Sequence, residues 1–214
     1  MSTPWKPAEQ PDTFTFSADS EREIEVVLAK YPAVRKASAV MPMLYIAQRQ
    51  MGQQTGSAWI PLAAMDEIAR RLEVAAIRVY EVASFYTMFN TQPIGRYHLQ
   101  VCTTTPCWLR GSDDVTHACK KVTGINNFGE TSADGLFTLT QVECLGACSN
   151  APILQVDDEY YEDMDGPRTE ALIAALRAGE RPPVGPSINR LGSAPEGGRK
   201  TLLETTAPTP SGAE

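Results

Sequence analysis

The chain's 214 residues suffice for one large domain or two modest ones, and hydrophobic (43%) and charged (21%) fractions of this size are ordinary for a globular protein. A formal net charge of −7 leaves no basic footprint for nucleic acid, and no run approaches the roughly 20 apolar residues of a membrane-spanning helix. The N-terminal stretch MSTPWKPAEQPDTFTFS has neither the charged and apolar regions of a secretory signal nor the arginine-rich character of a transit peptide, so a reducing compartment is expected.

Residues 1–16, Pro-rich and polar, read as an extended arm, and residues 17–92 as a helical domain. Ser20 with Glu23 forms a capping box ahead of Ile24, Val27, Leu28 and Tyr31, which share one helical face; Pro32 ends that helix. Val40, Leu44, Ala47 and Met51 mark a second helix, started or kinked by Pro42, and the cluster Gly52 to Ser57 reads as loop. Pro61 opens a third helix with Met65, Ile68, Ala69 and Leu72 inward. A short fourth helix, Ile77 to Val82, leads into the aromatic run Ser84 to Phe89, which suits either core packing or docking on a partner.

The pattern changes near Gly95, and residues 93–180 read as a second domain. Arg96 to Cys102 alternates and is rich in strand formers. A helix follows, with Ser112 as N-cap, Asp113 and Asp114 in its first turn, Lys120 and Lys121 in its last, and Gly124 past its end. Leu136 to Cys144 is a second strand. Ile153 to Val156 and Tyr160 to Met164 flank an acidic turn as a hairpin, and a helix from Thr169 to Ala178 turns Leu172, Ile173 and Leu176 inward. The order strand–helix–strand, then strand–strand–helix, is that of a thioredoxin-like core. Residues 181–214 are Pro/Gly-rich without periodicity, a tail expected to order on a partner or not at all.

Five cysteines cannot all pair. Cys119 shares a helical face with Val115 and Val122 and reads as a buried small hydrophobe. The other four form Cys102-x4-Cys107 and Cys144-x3-Cys148, each pair at the C-terminal end of a strand, the sheet edge where ligands bind. If the two strands are neighbours, all four sulfurs converge. Four thiolates in a reducing compartment suit an iron–sulfur cluster or zinc, with two local disulfides as the alternative; spacing alone does not decide. Gly146 and Ala147 permit a tight loop with N–H groups turned toward sulfur, and Thr103 to Thr105 offer N–H and hydroxyl donors. Trp108 is placed to shield the site from water. His98 reads as a satisfied histidine beside the core, His117 as a solvated one, and the acids from Asp157 to Asp165 as a solvated hairpin. No Gly-rich phosphate loop follows a strand, so neither NADH nor flavin is expected on this chain, and no catalytic residue is assigned.

The stretches GRYHLQVCTTTPCWLRGS, FTLTQVECLGACSNAP and DDEYYEDM, with the helical IPLAAMDEIARRLEVAAIRVYEVASFYTMF, resemble the NuoE-type (24 kDa) subunit family of respiratory complex I over about Ile24 to Ala178. That resemblance implies a mixed fold, α+β or α/β in class: an N-terminal helical bundle, then a thioredoxin-like ferredoxin domain with a four-stranded sheet. It implies one [2Fe-2S] cluster on Cys102, Cys107, Cys144 and Cys148, exchanging single electrons with the FMN of a larger NADH-oxidising partner subunit. The enzyme is then the assembly, an NADH:ubiquinone oxidoreductase, with this chain in its peripheral arm on the cytoplasmic side of the bacterial inner membrane, or the matrix side in a mitochondrion. The alternatives are the equivalent subunit of an NAD-linked hydrogenase or formate dehydrogenase, a zinc-stabilised adaptor, and a thiol–disulfide oxidoreductase, against which the missing C-x-x-C speaks.

Overall fold

The computed structural model describes residues 10–195, 197–198 and 201. They fall into two compact units: residues up to Tyr97 with Thr131–Thr138, and His98–Glu130 with the residues from Leu139 on.

The first unit is helical: α1 (Ala18–Leu28), a 3-10 segment (Ala33–Ala39), α2 (Val40–Thr55), α3 (Leu62–Leu72) and α4 (Ala76–Phe85). The first three helices bury most of the face their periodicity marks, although α1 ends at Leu28, before Tyr31, and Ile77 on α4 is exposed. On α3 the buried residues are Ala64, Met65, Ile68, Ala69 and Leu72, which pack with Ile24, Met43, Leu44, Ala47 and Val79 into one core. The first helix begins earlier than its capping box suggests. Ser17 is the cap, its hydroxyl accepting from the Ser20 N–H at 3.2 Å, while Ser20 itself is buried in the first turn. Pro42 lies in the first turn of α2 and starts it, and the helix runs on to Thr55 before Gly56, at φ +79°, closes it in the left-handed region. Most of the expected loop is therefore helix. Residues 1–9 of the arm lie outside the described residues. The rest is pinned, with Phe16 in the core and the buried Gln50 side chain bridging the Thr15 carbonyl and the Ser17 N–H.

Most of the sheet belongs to the second unit. Its strands are β1 (Tyr97–Cys102), β2 (Glu130–Thr131), β3 (Phe137–Val142), β4 (Leu154–Val156), β5 (Glu159–Glu162) and β6 (Gly185–Pro186), hydrogen-bonded in the order β2-β3-β1-β4-β5-β6. The four expected strands are its centre. The two-residue β2 and β6, too short to alternate, bring the count among the described residues to six. Strand β4 is antiparallel to β1 (Gln100 opposite Gln155) and to β5 (Gln155 opposite Tyr160), while β6 runs parallel to β5. Between β1 and β2 come α5 (Thr105–Leu109) and α6 (Ser112–Thr123); α7 (Gly166–Arg177) follows β5 and packs on α6. Helix α6 is capped by Gly111 rather than Ser112. Helix α7 starts before Thr169 because the Asp165 carboxylate accepts from the Arg168 N–H at 2.8 Å.

Two expectations change here. The tail does not wait for a partner: residues 181–195 lie against this unit, joining the sheet as β6 and tying Arg190 to Asp163, while residues 202–214 lie outside the described residues. The acids after β4 are not simply solvated either. Asp157 accepts from the His98 N–H at 2.9 Å and pairs with Arg181, Asp163 is buried, and Asp165 caps a helix.

Candidate metal centre

Strands β1 and β3 are neighbours, the condition for the four thiols to meet. Strand β1 ends at Cys102. The chain stays extended through Thr104, and α5, with Pro106 in its first turn, carries Cys107 back so that its sulfur hydrogen-bonds to that of Cys102. Strand β3 ends at Val142; the loop after it delivers Cys144, and the 3-10 turn Cys148–Asn150 delivers Cys148. The sulfurs of Cys144 and Cys148 stand 3.4 Å apart, beyond the roughly 2.0 Å of a disulfide, and all five cysteines are free. Across the pairs, Cys107 lies within electrostatic reach of Cys148, and Cys144 within reach of Cys102 and of the Thr104 hydroxyl.

The two thiols of each pair are shifted in opposite directions. Burial pushes the Cys107 thiol up to about 12, and its S–H bond to Cys102 acts in the same direction. For Cys102 burial also acts upward, but the Thr104 hydroxyl at 3.1 Å and the N–H groups of Leu145 and Thr104 outweigh it and bring the thiol below its ordinary range. Cys144 is lowered first by the Gly146 N–H and then by Cys148, whose own thiol is raised by donating to it. A soft metal bound here would take the place of thiol protons, since the ligating form of cysteine is the thiolate.

The donors come from the segments expected to supply them. Gly146 sits at φ +80°, a conformation that a side chain would strain, and this turn aims its N–H at Cys144. Thr103 instead accepts from the Gln141 amide at 2.5 Å. Cys102 and Cys107 are buried with Ala151 and Ile153, whereas Cys144 and Cys148 are exposed. The expected shield, Trp108, is itself 56% exposed beside an open Leu109. Cys119, fully buried on α6 and pushed up to about 12 by that burial, takes no part. His98 is buried with Nε2 2.9 Å from the Thr140 hydroxyl, and His117 is exposed. Along the aromatic run Phe89 is core, edge-on to Tyr45, while Phe85 and Tyr86 line a surface hollow.

Sequence reasoning missed the supports behind the loop. The Tyr160 hydroxyl donates to the Leu145 carbonyl at 3.0 Å, and Asn150 is buried with its side chain bonded to the Glu162 carboxylate and the Gly192 carbonyl. Only the hairpin pattern around Tyr160 hinted at any of this.

The donor set fits a binuclear iron–sulfur group. The thiols form two pairs, and N–H and O–H groups reach the sulfurs from their own loops, as such a group requires.

Comparison with known proteins agrees. The family described as thioredoxin-like [2Fe-2S] ferredoxin matches residues 24–177. The chain is 48% identical over 161 residues to an NADH-quinone oxidoreductase subunit of Rickettsia typhi, covering 75% of this chain and 91% of that one. It is 44% identical over 191 residues to the mitochondrial NADH dehydrogenase [ubiquinone] flavoprotein 2 of Dictyostelium discoideum, covering 89% of this chain and 75% of that one. Among solved structures, an NAD+-reducing [NiFe]-hydrogenase aligns with TM-score 0.54 at 20% identity, over 66% of this chain and 23% of the hydrogenase chain, and so shares the fold.

Proposed function

The chain belongs to the thioredoxin-like [2Fe-2S] ferredoxin family, and on that premise we propose that it is the electron-transfer subunit of an NADH:quinone oxidoreductase, with Cys102, Cys107, Cys144 and Cys148 holding one [2Fe-2S] cluster. The observation that supports the reading is that the two thiol pairs lie within electrostatic reach of each other. When bound, the cluster supplies one-electron chemistry. The protein's part is to hold it and to decide which side a partner can approach. Cys102 and Cys107 anchor one side in the core, while Cys144 and Cys148 lie at the surface, where a redox partner can come close. The Thr104 hydroxyl and the N–H groups of Thr104, Leu145 and Gly146 stabilise negative charge on sulfur, and so favour the more negative, reduced state.

NADH and FMN belong to the partner, a flavin-bearing subunit of the peripheral arm, on the cytoplasmic side of a bacterial inner membrane or the matrix side of a mitochondrial one. Among the described residues no helix is long and apolar enough to cross a membrane. The relatives' names support a quinone-linked assembly over a hydrogenase, because the hydrogenase likeness extends to the fold alone.

The test is anaerobic purification of the full chain with metal analysis and visible spectroscopy. About two irons and two acid-labile sulfides per chain are expected, with broad visible bands that bleach on reduction. Cys102→Ser and Cys144→Ser are expected to lose or alter the spectrum, and Cys119→Ala to retain it. Colourless protein carrying zinc would overturn the reading.

A further inference from the structure

The segment after β6 reaches back to the cysteine loop. Ser187 donates its N–H to the Glu162 carbonyl at 2.9 Å, continuing the β5–β6 pairing. Three residues on, Arg190 turns inward, with its side chain 7% exposed against 5% for Asp163. Its guanidinium grips Asp163 with two nitrogens, Nε at 3.0 Å from Oδ2 and Nη2 on Oδ1. The same Nη2 donates to the Ser149 carbonyl at 3.2 Å, and Nη1 to the Ala194 carbonyl at 3.2 Å. Asn150 Nδ2 donates to the Gly192 carbonyl at 3.1 Å, and the Asp163 N–H closes the square by donating to the Asn150 carbonyl at 2.7 Å. Ser149 and Asn150 are the two residues after Cys148, in the same 3-10 turn.

A planar, permanently charged fork in a nearly closed site fixes direction as well as distance, which an ammonium cannot do. The arrangement holds the backbone immediately behind Cys148 from a segment forty residues further along the chain. Cys148, with Cys144, is the exposed pair, which the core does not hold as it holds Cys102 and Cys107.

We infer that Arg190 is a positioning residue for the cluster site: with Asp163 it straps the turn Cys148–Asn150 in place, so that the C-terminal segment sets how long the exposed pair of thiolates retains its metal. The inference rests on the cluster reading above for its consequence, and on this network alone for the restraint.

The test compares the full chain with Arg190→Ala, Arg190→Lys and Arg181→Ala; the last breaks the more exposed pair with Asp157 in the same tail. In the cluster-bearing protein, iron transfer to a ferrous chelator is expected to be about tenfold or more faster in Arg190→Ala, intermediate in Arg190→Lys and unchanged in Arg181→Ala. The reduced Arg190→Ala protein is also expected to show a shifted or broadened electron paramagnetic resonance spectrum, which a general loss of stability would not produce. In the metal-free chain, amide hydrogen exchange at Asn150 and Ala151 is expected to follow the same order. If Arg190→Ala fails to fold, Arg190→Lys against wild type decides. Equal iron release, spectra and exchange in Arg190→Ala and wild type would overturn the inference. Wild-type protein without iron would overturn the cluster reading instead, and exchange would then decide the restraint.

Discussion

At the scale of single residues, the clearest distinction is between the cysteines that meet and the one that does not. Both kinds include thiols raised to about 12, Cys107 and Cys119, yet only Cys107 has sulfur neighbours. A raised thiol alone therefore says nothing about ligation. Cys119 was legible as an outsider because helical periodicity fixes its face, and the four ligand candidates because their spacing put each pair at a strand end. His98 illustrates a different consequence of burial. It is 7% exposed, and desolvation brings its imidazole down to about 4 from 6.5. Since the folded value is the lower one, the unfolded chain binds more protons between the two values, and protonation there favours unfolding. The contribution of neutral His98 is complete above about 6.5 and declines as pH falls toward 4, by up to about 1.4 kcal/mol per pH unit. Denaturant unfolding at pH 7.5, 6.5 and 5.5 is expected to show this slope in the wild type and a flatter one in His98→Gln, which can still reach the Thr140 hydroxyl. The difference accumulated between 6.5 and 5.5 is expected to be about 1 kcal/mol. Parallel profiles would remove His98 from the account.

At the scale of elements, α1 and α3, which contribute to one helical core, are joined by a polar contact. Arg71 on α3 forks onto Glu21 of α1 with two bonds of 2.5 Å, bonds Glu67 of its own helix at 2.6 Å, and lies 4.9 Å from the centre of the buried Phe16 ring. These hydrogen bonds from Arg70 and Arg71 hold Glu67 down to about 2, with burial opposing them. The Arg71 side chain is 21% exposed and Arg70 71%, so solvent screens the second far more than the first. Arg71→Ala is expected to lower the stability of the helical unit by about 2 kcal/mol, through both lost bonds and the uncovered Phe16 ring, and Arg70→Ala to be indistinguishable from wild type in far-ultraviolet circular dichroism melts. Equal melts for the two variants would mean that Arg71 contributes no more than a surface ion pair. The elements themselves were legible where they are long enough to repeat a pattern. The faces of α2 and α3 and the polarity of the ends of α6 follow from local sequence, whereas β1, read as alternating, is buried at all six positions from Tyr97 to Cys102. The five-residue α5 and the two-residue β2 and β6 carry too few positions for a period, and exist because their neighbours hold them. The contact of Arg190 with Asp163 spans 27 residues and has no local signature, since an arginine in a Pro/Gly-rich stretch looks the same whether it is buried or free.

At the scale of the whole molecule, the two units depend differently on metal. The helical unit has a continuous apolar core, from Phe16 to Phe89, that contains no cysteine. The site in the other unit is backed by four buried residues, two of them the thiols themselves. Without metal, its order relies on S–H hydrogen bonds within the sulfur pairs, on Tyr160 beneath Leu145, and on the network around Asn150. Removing those protons to form thiolates without adding metal leaves like charges in contact, so the loops carrying them open at lower cost than the helical core. Stripping the cluster with an anaerobic chelator is therefore expected to act locally. Hydrogen exchange followed by mass spectrometry is expected to rise about tenfold or more in peptides covering residues 102–111 and 144–153, while peptides covering residues 40–72 keep their protection. The far-ultraviolet helical signal is expected to persist, with loss of the visible bands and of near-ultraviolet structure alone. Loss of protection across α2 and α3 on metal removal would mean that the helical core is not self-sufficient, and that the metal contributes to the folding of the whole chain rather than to the shape of one edge of it.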